Sequence, residues 1–529
     1  MRQAYRVETV RAAERALMAT LPEGTLMRRA AGGLAATCAG LLERRPGQCY
    51  GARVVVLAGS GDNGGDALYA GATLARRGAT VTAVAPGTKV HEGGAAALRA
   101  AGGRVLTGTP STEGPSTGGL STDPLVGAHL ILDGMLGIGG RGGLREPYAG
   151  LAVAAERARR ENATVVAVDL PSGIDADTGT VAGPAIVADV TVTFGVIKPG
   201  LLIDPGASHA GTVQLVDIGL GPYLGQGPAA CAPQLADIRA LLPRPGAESD
   251  KYRRGVVGLL AGSDRFTGAA VLATGGAIHG GAGMVRVVTE ATAAQVVRQE
   301  WPEAVITVQQ EGDDPTAAGR VQAWVAGPGM GTNDAAGERL AAVLGTGVPV
   351  LVDADGLTLL ARLKGGPRSA GPAGPVDRDA PTLITPHAGE LGRLLGAEPA
   401  DIEAHRLDYA RRGADELGVT VLLKGSTTVI ADPGEDPVLV NPTGTPWLAT
   451  AGSGDVLSGL AGALLAQGLP SAQAGIAAAY LHGLAARLAA AGPATGYTPH
   501  NAPRDVTSAA PIGASDVVAA LPDAFRAVS

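Results

Sequence analysis

With 529 residues the chain is too long for one hydrophobic core, and two or three domains are expected. Hydrophobic residues at 46% and charged residues at 17% describe a globular protein, whose 81 glycines and 36 prolines call for many tight turns. The net charge of −7 and pI near 5.7 argue against a nucleic-acid or anionic-membrane surface. No membrane-length apolar run is read along the chain, Met1 to Ala19 lacks the apolar core of a signal peptide, and Cys38, Cys49 and Cys231 show neither paired nor metal spacing. A cytoplasmic protein with reduced thiols follows as the expectation.

Taken in chain order, the first half alternates short apolar runs with Ala-, Arg- and Leu-rich segments. Strands are expected at 54–58, 79–85, 129–132, 165–170, 190–194 and 213–216, and helices near 7–20, 25–44, 66–77, 92–101 and 147–160. Continuous apolar runs of this length point to a parallel sheet covered on both faces. The pattern pauses at 219–227, rich in Gly and Pro. It resumes with strands expected at 256–260, 285–289, 323–326, 350–352, 383–385, 419–423 and 427–431, with helices after Phe266 and Asp455 and over about 472–491. The reading is α/β: two tandem domains, 1–220 and 235–525, joined by a linker at 221–234. Low-complexity stretches at 107–122 and 365–378 are expected to be exposed loop insertions.

Gly59-Ser60-Gly61-Asp62-Asn63-Gly64-Gly65-Asp66 follows the first strand and runs into a helix. Glycines admit a close ligand, and a helix start offers unpaired N–H groups to a pyrophosphate. The spacing matches G-x-G-x-x-G, but the acidic residue about 20 positions on is missing, so an ordinary dinucleotide-dependent dehydrogenase is disfavoured. A plain strand-to-helix turn would use the same glycines, yet would not need Asp62, Asn63 and Asp66 among them. Two more polar clusters end strands: Asp133 with Gly137-Ile138-Gly139-Gly140-Arg141-Gly142-Gly143 after it, and Asp169-Leu170-Pro171-Ser172-Gly173. Ends of parallel strands can face one crevice.

In these three clusters and their order, residues 1–220 resemble the YjeF N-terminal domain family, the NAD(P)H-hydrate epimerases, with departures at Asp62 and Ala67. The resemblance implies a Rossmann-like three-layer sandwich. It implies that Asp62, Asn63, Gly64, Gly65 and Asp66, with residues 137–143, hold the substrate's phosphates and ribose. Asn63, Asp133 and Ser172 would supply oxygens to a potassium ion, and Asp169 would stand at the C6 carbinol.

In the second half, Ala449-Thr450-Ala451-Gly452-Ser453-Gly454-Asp455 leads directly into a helix. Backbone N–H groups at such a start stabilise charge on a transferring phosphoryl group, and an Asp in the first turn can take a hydroxyl proton. A capped helix after a flexible loop is the plainer reading. No G-x-x-x-x-G-K-[ST] occurs, which excludes a P-loop enzyme.

Together with Lys251-Tyr252, Asp353-Ala354-Asp355, Thr385-Pro386-His387-Ala388-Gly389-Glu390 and Leu423-Lys424-Gly425-Ser426-Thr427, this start resembles the ribokinase-like superfamily and, within it, the ADP/ATP-dependent NAD(P)H-hydrate dehydratases. Phe266 and Ser453 are mild departures. The resemblance implies Asp455 as base, Ala269, Gly329 and His387 at the hydrate, and Lys424, Gly425, Ser426, Thr427, Thr428 and Gly454 at the nucleotide. ADP or ATP with Mg2+ is expected, as are NADHX and NADPHX as ligands, a homo-oligomer, and no nucleic-acid or membrane partner. A vitamin-type hydroxymethyl kinase fused to a non-catalytic dinucleotide-binding module is the alternative; it shares the Gly-Asp helix start but does not predict the Thr-Pro-His segment.

Overall fold

Runs such as Val54-Val55-Val56-Leu57 are β-branched and apolar throughout, so they are stable only where both faces of a sheet are covered. A computed structural model describes residues 1–44, 47–87, 89–108, 125–140, 142–365, 378–434, 436–491 and 509–529. Most of both stretches read as loop insertions (109–122 and 366–377), together with Arg141, lies outside the described residues. The chain divides into one body of Gln3–Ala229 and a second of Met1–Arg2 with Ala230–Ser529.

The strands are β1 (Arg2–Ala4), β2 (Arg53–Ala58), β3 (Thr80–Ala85), β4 (Arg104–Thr107), β5 (Leu130–Gly134), β6 (Thr164–Val168), β7 (Val190–Phe194) and β8 (Thr212–Val216). β2 to β8 form a seven-stranded sheet in the order β4-β3-β2-β5-β6-β7-β8, parallel at every pairing. The helices Thr25–Arg44, Asp62–Arg76 and Glu92–Ala100 bury Leu34, Leu68 and Leu98 in one core. Tyr148–Arg160 places Ala152 and Ala155 in another.

The second body continues with β9 (Ala230–Ala232), β10 (Val256–Leu260), β11 (Met284–Thr289), β12 (Val305–Val308), β13 (Ala323–Ala326), β14 (Val350–Val352), β15 (Thr382–Ile384), β16 (Thr420–Leu423), β17 (Val429–Ala431) and β18 (Val438–Val440). These and β1 make an eleven-stranded sheet in the order β1-β9-β18-β17-β16-β15-β14-β13-β10-β11-β12. It is parallel from β12 to β16 and antiparallel at β16–β17 and β17–β18. The stretch expected as a linker at 221–234 is therefore partly built into structure. β9 lies inside it, pairs with β18 and is wholly buried, because Ala230, Cys231 and Ala232 are small enough to pack there.

One helix corrects the reading that no apolar stretch reaches membrane length. Ser471–Ala491 has 21 residues with mean hydropathy 1.2, and 83% of that window is buried inside the protein. It is the core helix of the second body, and it carries the buried polar side chains His482 and Arg487.

Candidate active sites

In the first body the strand order reverses between β2 and β5, which opens a crevice beyond their carboxyl ends. The backbones after the two strands approach closely: a Cβ added at Gly59 would stand 2.0 Å from the Met135 carbonyl oxygen, and one at Gly64 2.1 Å from that of Gly59. The helix begins at Asp62, earlier than the sequence suggests, so Asn63, Gly64, Gly65 and Asp66 are helical residues. Among the described residues the N–H groups of Asp62, Asn63 and Gly64 have no acceptor, the usual state of a helix start and one that suits an anion. Gly137 packs against the Asn63 side chain, and a Cβ at Gly134 would come within 2.5 Å of that of Ala67. The alanine at 67 is thus accommodated by the glycine at 134.

Asp133 is fully buried and bonded to Ser172 twice: Ser172 Oγ donates to Oδ1 (2.6 Å) and Ser172 N to Oδ2 (2.8 Å). Burial raises the Asp133 carboxyl to about 6, against these hydrogen bonds. Leu136 N donates to Ser172 Oγ at 2.9 Å, and the amide nitrogen of Asn63 is buried without a partner.

Asp169 has φ +67°, a conformation uncommon for a residue with a side chain. Its Oδ1 accepts from Lys198 Nζ at 2.5 Å, Thr193 Oγ1 at 3.1 Å and Phe194 N at 3.1 Å. Lys198 was given no role from the sequence and is 1% exposed. Asp66, also charged against Asp169, Asp62 and Glu14, has its carboxyl pushed well up, chiefly by burial. Glu14 joins the cluster from the helix Val7–Met18; burial raises it, Lys198 opposes, and Asp169 and Asp62 add to the rise.

In the second body the reversal lies between β10 and β13. Gly262 N donates to the Pro328 carbonyl at 2.7 Å, joining the two strand ends. A Cβ at Gly329 would meet that of Ala269 at 2.7 Å, so these two residues line one spot. The helix Ser453–Ala466 starts after Gly452 (φ +85°), and the Gly454 N–H has no acceptor among the described residues.

Asp455 sits in the first turn of that helix. Burial, helped by Asp353, raises its carboxyl to about 7, against the pull of Lys424. Lys424 Nζ lies 2.7 Å from Asp353 Oδ1 and 3.8 Å from Glu390 Oε2, and Ser458 Oγ donates to Asp353 Oδ2 at 2.6 Å. The lysine expected as a point charge for nucleotide is therefore bound into a carboxylate cluster beside Asp455. Ala354, between Asp353 and Asp355, has φ +48°.

Gly425, Ser426, Thr427 and Thr428 form the turn between β16 and β17, with Thr427 buried. His387 caps the helix Ala388–Leu395, accepting from Gly389 N at 3.0 Å through Nδ1, and its side chain is 56% exposed. His482 is buried with its Nε2 unpartnered among the described residues and is lowered by burial to about 4, with the Ser453 backbone opposing; sequence reasoning missed it. Among the described residues no group of three or more His, Cys, Asp or Glu side chains converges as a metal cage.

Two α/β bodies, one with a glycine crevice at its switch point and one with a Gly-Asp helix start of ribokinase-like kind, define a two-site α/β enzyme that handles phosphorylated ligands. Residues 23–200 match the family model described as YjeF-related protein N-terminus, and residues 257–507 that of NAD(P)H-hydrate dehydratase. The chain is 47% identical over 512 residues to the bifunctional NAD(P)H-hydrate repair enzyme Nnr of Mycobacterium leprae, covering 96% of this chain and 98% of that one. It is likewise 47% identical over 479 residues to the protein of the same name from Mycobacterium tuberculosis (strain CDC 1551 / Oshkosh), covering 90% and 91%. The chain belongs to the family of bifunctional NAD(P)H-hydrate repair enzymes. Among solved structures it is similar to the ADP/ATP-dependent NAD(P)H-hydrate dehydratase of Bacillus subtilis co-crystallised with ATP/Mg2+, at 30% identity and TM-score 0.46 over 56% of this chain and 98% of that one.

Proposed function

We propose that each body performs one step of the repair: the first interconverts the R and S forms of hydrated NADH or NADPH, and the second dehydrates the S form at the expense of ADP or ATP. The observation that carries the second step is Asp455, a carboxylate raised to about 7 beside an unsatisfied helix start. A base of that strength suits a hydroxyl near neutral pH. Asp455 takes the proton of the C6 hydroxyl, whose oxygen attacks the terminal phosphoryl group while the shorter nucleotide leaves. The C6–O bond then breaks with the electrons of the ring nitrogen driving phosphate out, and loss of the C5 proton restores the double bond. Gly454 N–H and residues 424–428 are read as the nucleotide's contacts, and Ala269, Gly329 and His387 as the hydrate's. Within the site Lys424 also balances Asp353, Glu390 and Asp455. Mg2+ is read as held by nucleotide phosphates and water, in keeping with the lack of a convergent carboxylate cage among the described residues.

In the first body, Asp62, Asn63, Gly64, Gly65 and Asp66 with the glycines of 137–143 are read as the phosphate and ribose contacts, and Asp169 as the group at C6. The donor set of Asn63, Asp133 and Ser172 offers hard oxygens, with Asp133 and Ser172 bonded to each other and the Asn63 side chain against Gly137, and its chemistry fits potassium. Such an ion would supply a fixed positive charge that orders the strand ends. The thiols of Cys38, Cys49 and Cys231 are free, which supports a cytoplasmic setting.

The test is direct. Hydrated NADH is incubated with protein and ADP or ATP, and the absorbance band of the reduced nicotinamide is followed. Recovery of half an equal mixture of the R and S epimers by Asp169→Asn, and of all of it by the unaltered protein, is expected. Full recovery by Asp455→Asn would remove Asp455 as the base.

A further inference from the structure

We propose that Lys198 is a positioning residue for epimerisation: its ammonium fixes one oxygen of Asp169 and leaves the other to the hydrate. The inference rests on the reading of Asp169 as the group at C6. Lys198 follows β7 within the apolar run Val196-Ile197-Lys198-Pro199-Gly200-Leu201, and its side chain is 1% exposed. A buried ammonium is costly to desolvate and persists only where its donors are satisfied. Here its contacts are Asp169 Oδ1 at 2.5 Å, Thr193 Oγ1 at 3.0 Å and Phe194 O at 3.2 Å. With three N–H groups and three acceptors within the chain, none remains for substrate. Lys198 is therefore not the proton donor of the reaction.

Its effect falls on the carboxylate. Every hydrogen bond to the Asp169 carboxylate among the described residues ends on Oδ1: Lys198, Thr193 and Phe194 N all converge there. Oδ2 accepts nothing among the described residues, and the side chain keeps 12% exposure, so this oxygen is the one free to meet a ligand. The backbone at Asp169 is held at φ +67° by the bond from its N–H to Val192 O at 2.7 Å. Strain of this kind is maintained only where the surroundings over-determine it, and the Lys198 contact is part of what does so.

The other charges that act on Asp169 are Asp66 from the helix Asp62–Arg76 and Glu14 from the helix Val7–Met18, with Asp62 beside both of these and Arg11 beside Glu14. Both groups that face Asp169 directly are acidic. Removing the ammonium takes away the cation that opposes the raised carboxyl of Glu14 and leaves Asp169 beside two like charges.

The experiment uses the full chain and pure S hydrate without nucleotide, following appearance of the R form by chromatography between pH 5 and 9. For Lys198→Met the expected result is a kcat at least tenfold lower, a KM within twofold, and an acidic limb moved to higher pH. Folding is checked by thermal unfolding. Thr193→Val, which removes a neutral hydroxyl bonded to both groups, is expected to lower kcat less and shift the limb in the same direction; it carries the test if Lys198→Met does not fold. An unchanged kcat and limb in whichever variant folds, or a fall in kcat matched by a rise in KM with the limb unmoved, overturns the inference. Asp169→Asn separates the two readings. If it epimerises at the unaltered rate, the assignment of Asp169 fails and Lys198 with it; if it is inactive while Lys198→Met is normal, only the inference fails.

Discussion

Asp353 and Lys424 follow β14 and β16, which are separated by one strand in the second body's parallel run, and their charged atoms meet at 2.7 Å with Asp353 only 1% exposed. Burial works against the lysine's charge, but Asp353 and Glu390 outweigh it, so the ammonium is held more firmly than in water. Removing one partner of such a pair leaves a buried charge uncompensated. Lys424→Met is expected to cost about 3–5 kcal/mol of unfolding free energy, read from denaturant melts of the second body. A cost under about 1 kcal/mol would mean that the pair is solvated in solution.

Asp455 couples activity to stability through its carboxyl. Its folded value, about 7, stands above the ordinary 3.8, so between those limits the folded state holds a proton that the unfolded state has released. Stability contributed by this group is therefore greatest at acid pH and declines as pH rises through that window. Dehydration runs the other way, rising as the base ionises toward about 7. Asp455→Asn is expected to abolish turnover and, at pH 8, to stabilise the second body by about 1 kcal/mol after allowance for solvent screening. Calorimetry at pH 5 and pH 8 checks this; equal effects at both pH values would contradict it.

Gly459 marks where the helices Ser453–Ala466 and Thr267–His279 touch. A Cβ there would stand 1.9 Å from the Ala273 carbonyl oxygen, which is backbone and cannot turn aside. Gly459→Ala should cost about 1–3 kcal/mol through overpacking. Because the displaced helix carries Asp455, dehydration is expected to fall while epimerisation by the first body persists. Parallel assays of the two steps on one preparation decide it.

Ser172 tests the potassium reading from two sides. Ser172→Ala removes both the hydroxyl bonded to Asp133 and one proposed ion ligand. An unfolding cost of about 1–3 kcal/mol is expected from the partner left unsatisfied. Epimerisation by the unaltered protein should slow several-fold when potassium is replaced by choline, and that sensitivity should vanish in the variant. Equal rates in the two salts would leave Ser172 with only its structural part.

Much of this organisation is legible in the residues. The strands at 190–194, 256–260, 323–326 and 350–352 coincide with β7, β10, β13 and β14, because long apolar runs bounded by Gly, Pro or Asp admit few other structures. β9 and β18 escape notice although β18 is Val-Leu-Val like β14, because an apolar run of three residues does not by itself tell a strand from other structure, and β12 is partly exposed at the sheet edge. The glycine clusters are legible for the same reason: they are contiguous, and chain order brings them to strand ends. Glu14, Lys198 and His482 are not, since each reaches its site from a distant segment by tertiary packing. Lys198 does carry a signal, a single cation inside an apolar run, and a cation so placed demands a buried partner. Asp353 and Glu390 stood within quoted motifs without a role, because spacing does not reveal which carboxylates share one ammonium.

The helix Ser471–Ala491 has an implication for how the protein comes into being. It follows β15, β16, β17 and β18 in the chain and packs on all four. Part of the surface that shelters its alanines and leucines has thus already emerged from the ribosome when the helix appears, while the helix Ala514–Val528, which packs on it as well, is still to come. A newborn chain whose earlier strands fail to assemble would expose a greasy rod of bilayer length.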